Sequence, residues 1–139
     1  MAVRIRLKIT GQGEQPVITT AVLNGGFEVA EPHLLLPARC AGLVLGDYRS
    51  SAVWQSMEAA GGQVDFLLAS DTVNARAVTA DREGHEVSFK ILVSDADPEV
   101  LVSDAGIDAL GLRIESFAPG RWRFADQTLI RETEPPQYW

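Results

Sequence analysis

Cysteine and histidine are scarce in this chain of 139 residues. The single cysteine, Cys40, excludes an internal disulfide, which fits a reducing compartment, so we expect a cytoplasmic protein. Because Cys40 lies in an apolar stretch, the sequence predicts a small buried side chain. The two histidines, His33 and His85, are far apart and have no cysteine or histidine at ligand spacing. The sequence therefore predicts neither a metal site nor a cofactor.

Long apolar runs and clustered positive charge are also missing. No segment approaches about 18 consecutive apolar residues, so no membrane-spanning helix is predicted. Residues 3–9 alternate apolar and basic side chains, which is typical of a strand and not of a signal peptide. The net charge is −7 and most basic residues are scattered, which disfavours binding to nucleic acid. A hydrophobic fraction of 46% indicates an ordinary globular domain.

Short segments rich in β-branched and alternating apolar residues dominate the chain. The predicted strands are residues 1–10, 17–23, 27–36, 52–57, 64–79 with a bend near 70–71, 86–94, 99–102, 112–117 and 121–124. Helix is predicted only at residues 37–41, ended by Gly42, and at Asp104–Leu110, ended by Gly111. Strands without alternating long helices predict a mainly β fold, closed or sandwiched.

One segment combines a strand, a glycine-rich break and a second extended stretch. In residues 21–45, the apolar strand end Val22–Leu23 leads into Asn24–Gly25–Gly26. Phe27 follows, and the extended path reaches the step Leu36–Pro37 before a short helix. Glycine tolerates backbone angles that other residues avoid, so this triplet predicts a sharp turn.

Two further segments complete a recognisable order. Residues 99–115 form an apolar strand that reaches Ser103, followed by a short helix and a Leu-Gly turn. Between the two motifs lies Ala60–Gly61–Gly62, followed by a long strand to Ala80 and a return strand at 86–94. In order and spacing, these segments resemble the retropepsin-like family of aspartic proteases, in particular its small archaeal and bacterial members.

The resemblance covers roughly residues 1–125 and implies a closed, barrel-like β domain with one or two short helices. It places the tip of a flap hairpin at Ala60–Gly61–Gly62, where the family covers its substrate. Residues 126–139 then form a C-terminal tail. Its sequence is polar and interrupted by prolines, so alone it should be loose. Its aromatic pair Tyr138–Trp139 predicts docking on another surface, most simply at a dimer interface.

The resemblance also implies a homodimer, because the family places one catalytic aspartate from each subunit at the two-fold axis. Asn24 stands at that position, and a carboxamide cannot act as a general base. Gly25 stands where the family has a bracing threonine or serine hydroxyl. The sequence therefore predicts an impaired or inactive protease-like homodimer that binds extended peptides under its flap.

Two other functions remain open from the sequence. One is an active aspartic endopeptidase, served by another carboxylate or by deamidation of Asn24 before Gly25. Glu28, Glu31 and Asp104 lie near the motifs, although a solvated acidic surface is the simpler interpretation. The other is a structural or assembly module with a vestigial cleft.

Three further aromatic residues are interpreted structurally. Trp54, Trp122 and Phe124 are predicted to be core or interface anchors rather than groups that stack on a substrate.

Overall fold

Strands account for most of the ordered elements of the chain. The structure is a computed structural model, and it describes residues 2–13, 15–59 and 61–139. The elements in chain order are β1 Arg4–Thr10, β2 Val17–Leu23, β3 His33–Pro37, α1 Ala38–Leu45, β4 Val53–Ala59, β5 Gly62–Leu68, β6 Val73–Val78, β7 Val87–Ser94, β8 Val100–Val102, α2 Asp104–Ala109, β9 Leu112–Ser116, β10 Arg121–Phe124 and β11 Arg131–Glu132.

Six of the strands form a closed barrel in the order β3-β8-β2-β1-β6-β7. β1 pairs with β2 and with β6 in antiparallel register, and β2 pairs with β8 in parallel. A parallel pairing of β3 with β7 closes the ring. The predicted mainly β, closed fold with two short helices is confirmed.

The barrel interior follows from the alternation in its strands. Ile5, Leu7 and Ile9 of β1 are completely buried, while the basic residues between them face outward. β7 contributes Phe89 and Ile91 in the same way. Burial of each large apolar side chain contributes about 1.5–3 kcal/mol, so this alternation fixes which face of each strand lies inside.

Helix α1 is longer than the sequence predicts. The expected end at Gly42 is wrong, because the helix continues to Leu45 and ends at Gly46, whose φ is +68°. Cys40 and Val44 on one face are buried in the core, and this packing outweighs the low helix propensity of Gly42. The predicted burial of Cys40 is confirmed.

The β4–β5 hairpin extends away from the barrel. Its strands are antiparallel with Ala59 opposite Gly62, and it joins the barrel where Leu67 and Leu68 pair with β7. The predicted hairpin is confirmed. Of the predicted tip, Ala60 lies outside the described residues. Within the part of the chain that the structure describes, the outer edge of β4 pairs with no strand.

A second sheet has the strand order β9-β10-β11, and its residues Trp122 and Phe124 belong to the hydrophobic core. The predicted pairing of residues 112–117 with 121–124 is confirmed as β9 and β10, and their residues Trp122 and Phe124 are buried as predicted. β11 was not predicted from the sequence. No helix in the described ranges is long and apolar enough to span a membrane.

The tail lies on the barrel of its own chain. The Thr133 hydroxyl accepts a hydrogen bond from the Arg4 amide at 2.7 Å, and Glu134 donates its amide to the Arg4 carbonyl at 2.9 Å. Trp139 is half-buried against the core, and its indole N–H donates to Thr19 at 3.0 Å. Hydrogen bonds to the Arg4 backbone and burial of one indole hold the tail on its own chain, and its docking at a dimer interface stays a prediction. Tyr138 is 66% exposed.

Candidate functional site

The turn at Asn24–Gly25–Gly26 is held by hydrogen bonds within itself and to β8. The Asn24 amide N–H donates to the Val102 carbonyl at 3.0 Å, and Phe27 donates to the Asn24 carbonyl at 3.0 Å. The Asn24 side-chain oxygen accepts from the Gly26 N–H at 3.1 Å. An asparagine side chain that binds the backbone two residues later stabilises a tight turn. Asn24 thus has a positioning role in its own loop.

The segment after β8 braces the same turn from the other side. Asp104 donates its amide to the Phe27 carbonyl at 2.9 Å, and its carboxylate accepts from Val29 at 3.0 Å. The buried Ser103 hydroxyl accepts from His33 and from Gly106, both at 3.0 Å. The two sequence motifs are therefore brought together in the structure.

These contacts also explain why β3 starts late. Residues 27–32 were predicted as part of an extended strand, but β3 begins only at His33. Backbone groups of Phe27 and Val29 bind Asp104 instead of a neighbouring strand. A side-chain acceptor that competes with strand pairing cannot be seen in the local pattern.

A cleft of about 600 Å³ lies between this turn and the β4–β5 hairpin. Its size falls in the range of small-molecule and peptide sites. The residues that line it are Asn24, Gly26, Phe27, Leu35, Trp54, Met57, Glu58, Val64, Asp65, Phe66, Leu67, Leu92, Val93, Ser94, Asp95, Ala96, Asp97 and Leu101. Most of these side chains are apolar, and Asn24 supplies an amide at one wall.

The predicted site residues take different positions around the cleft. Asn24 and Gly26 line it, whereas Gly25 is exposed beside it, with no atom within 4 Å of an added Cβ. Gly61 and Gly62 lie at the end of the hairpin and do not line the cleft. Gly62 has a φ of +115°, which the tight turn requires and which other residues rarely adopt.

None of the alternative carboxylates lines the cleft. Glu28 is exposed. Glu31 forms an ion pair with Lys90 at 2.5 Å, and this contact lowers the pKa of Glu31. The Asp104 carboxylate accepts hydrogen bonds from the backbone amides of Val29 and Ala105, which is a structural role. The described part of the chain also contains no group of three or more side chains suited to hold a metal ion.

Sequence reasoning missed the hairpin wall of the cleft. Trp54 is 71% exposed and lines the cleft, so of its two predicted roles the core one is wrong and the interface one stays a prediction. Met57 and Val64 of the hairpin also line the cleft, as do the carboxylates Glu58 and Asp65. Alternation does not reveal this wall, because a hairpin that leaves the barrel has no buried face. The sequence matches no protein-family model and no curated protein.

Proposed function

We propose that this chain is the subunit of a retropepsin-like homodimer that has lost catalysis and binds extended peptide segments beneath the β4–β5 hairpin. The observation that carries the proposal is the position of Asn24. It lies in a glycine-rich turn braced by the segment after β8, at the wall of a cleft that a hairpin covers.

Peptide binding is supported by the shape and chemistry of this cleft. Its lining is mostly apolar, and β4 has an unpaired outer edge in the described residues. An extended segment that adds to a sheet edge gains main-chain hydrogen bonds, while pockets select its side chains. Peptide, rather than a compact small molecule, is the ligand that such an edge favours.

Loss of catalysis follows from the amide at position 24. Aspartic proteases activate water between two carboxylates that share one proton. The Asn24 amide does not ionise, and its oxygen already accepts the Gly26 N–H. The chain therefore lacks the group that would deprotonate the attacking water. General acid–base catalysis contributes about 10²–10⁴-fold to the rate, and this contribution is lost.

The decisive experiment restores the missing groups. Asn24→Asp introduces a carboxylate of nearly equal size, and Gly25→Thr adds the family hydroxyl at a position with free space around an added Cβ. We expect no cleavage of a fluorogenic peptide library by the native chain at pH 3.5–6. The double variant should cleave with an acid optimum and be blocked by a statine-type inhibitor. Asn74→Asp is the matched control, since Asn74 is exposed on β6.

Each outcome has a distinct meaning. Statine-sensitive cleavage by the native chain, shown by mass spectrometry to retain Asn24 without deamidation, would establish an active endopeptidase. A double variant that folds and stays inert would remove the support for a protease-derived site. Light scattering at micromolar concentration tests the homodimer, whose interface should bury about 2,000 Å² or more. A monomer would contradict the shared site.

A further inference from the structure

The described residues that line the cleft carry charge of one sign only. Glu58 and Asp65 lie on the β4–β5 hairpin, and Asp95 and Asp97 lie in the loop after β7. No lysine, arginine or histidine occurs among the described residues of the lining. A ligand in the cleft therefore meets a negative potential from the hairpin and from the loop.

The protein's own cations compensate these carboxylates weakly. Asp95 contacts Arg49 at 3.3 Å, but the two side chains are 76% and 55% exposed. Asp65 and Asp97 each accept a hydrogen bond from a neutral serine hydroxyl, at 2.5 and 2.8 Å. Within the described ranges, Glu58 forms no ion pair. The negative charge of the cleft thus remains available to a ligand.

The carboxylates are combined with an apolar floor. Phe27, Leu35 and Leu101 line the cleft, with Trp54 and Met57 on the hairpin. In an extended peptide, successive side chains point to opposite sides. A segment in the cleft can therefore direct alternate side chains to the apolar floor and the others to the carboxylates.

We propose that the cleft selects extended peptides in which apolar residues alternate with lysine or arginine. This inference rests on the proposed function and names its ligand class. The apolar residues contact the floor, and the cationic residues pair with the carboxylates of the hairpin and the loop. Complementary charge of this kind raises association rates and discriminates against acidic segments.

Binding of three octapeptides with blocked ends to the full-length chain tests the inference. Valine alternates with lysine in the first, threonine in the second and glutamate in the third. We expect calorimetry and tryptophan emission, to which the exposed Trp54 contributes, to detect tight binding of the lysine peptide alone. Its affinity should fall as salt rises from 50 to 500 mM, because exposed pairs are screened.

Paired variants locate the contact. The double variant Glu58→Gln with Asp65→Asn should lower the affinity for the lysine peptide by about tenfold, as expected for the loss of two exposed ion pairs. Asp47→Asn with Asp71→Asn removes the same charge from exposed residues outside the cleft and should change little.

The outcomes separate this inference from the function on which it rests. Equal binding of the lysine and threonine peptides would overturn the charge selection and leave peptide binding intact. Binding of none of the three would overturn both. Equal weakening by the two variant pairs would show attraction to the whole acidic surface and would also overturn the inference.

Discussion

Asp81 is a side chain that contributes to the acid stability of this protein. Its carboxylate forms a bidentate ion pair with Arg131, at 2.7 and 3.1 Å, which ties the turn after β6 to β11. The Arg131 hydrogen bonds, and then that of Thr79, lower the pKa of Asp81 from 3.8 to about 2. A carboxyl whose pKa is lowered by folding stabilises the folded state above its ordinary pKa. That contribution is lost as the pH falls through the folded pKa.

We therefore predict that Asp81→Asn removes part of the acid sensitivity. In urea titrations at fixed pH, the native chain should lose stability between about pH 4 and pH 2 more steeply than the variant. Near pH 7 the variant should be the less stable of the two. Asp71→Asn, at an exposed position, is the control and should keep the native slope. Parallel slopes for all three proteins would show that the Asp81–Arg131 pair does not contribute.

Single residues were also where the sequence was most and least informative. The turn at Asn24 and the burial of Cys40 were predicted from their local surroundings, and burial raises the pKa of Cys40 to about 12, so its thiol is inert at neutral pH. Nothing in the local sequence around Asp95 and Asp97 indicated that these carboxylates line the cleft. They reach the cleft because β7 ends beside it, and this depends on how strands distant in sequence pair.

The two helices differ in how closely their glycines are packed. An added Cβ at Gly106 of α2 would lie 2.8 Å from Phe89 and 2.9 Å from Val102. At Gly42 of α1 it would meet nothing within 4 Å. Both glycines lie within helices and have φ below zero, so the backbone accepts alanine at either position. The substitution to alanine therefore compares how closely the two sites are packed.

Gly42→Ala and Gly106→Ala should accordingly have opposite effects. The first should stabilise the protein by about 0.5–1 kcal/mol, because alanine has the higher helix propensity and restricts the unfolded chain. The second should destabilise it by about 1–3 kcal/mol, since the core must shift to admit a methyl group. Chemical unfolding of the two variants beside the native chain measures both. A stabilising Gly106→Ala would mean that α2 lies further from β7 than the structure shows.

Strands and helices could be predicted from the sequence where the apolar periodicity is strong. Their ends could not be predicted where contacts with distant residues determine them. The alternation in β7 and the turn between β9 and β10 each identify an element from local sequence alone. The end of α1 and the start of β3 were misplaced, because buried side chains extend the helix and Asp104 binds the backbone before the strand. The short β11 carries no periodic signal at all.

At the scale of the whole molecule, the tail acts as part of the single-chain fold. Trp139 is half-buried on the barrel, its backbone N–H donates to Pro98 at 2.9 Å, and its indole donates to Thr19. The docking of this tail at a dimer interface stays a prediction. The loss of intramolecular contacts alone should make truncation of residues 132–139 destabilising.

We predict that Trp139→Ala lowers the free energy of unfolding by about 1–3 kcal/mol, from lost apolar burial and one hydrogen bond. Tyr138→Ala is the control, because this neighbour is 66% exposed and should change stability by no more than about 0.5 kcal/mol. Denaturant unfolding at two protein concentrations separates this effect from any change in association. Equal effects of the two substitutions would contradict the docking of Trp139.

The position of β8 in the barrel has a consequence for biosynthesis. β8 inserts between β2 and β3, so the edge of β2 that does not face β1, where Ala21 pairs with Val100, stays unpaired until Val100 has been made. Until then, Ile5, Leu7 and Ile9 of the β1–β2 hairpin lack the barrel interior that buries them in the folded chain. Ring closure over such sequence distances is slow, on the order of milliseconds to seconds for all-β domains. Apolar strands that stay exposed in an incomplete chain are prone to aggregation, so we expect the barrel to be most vulnerable before β8 has been made.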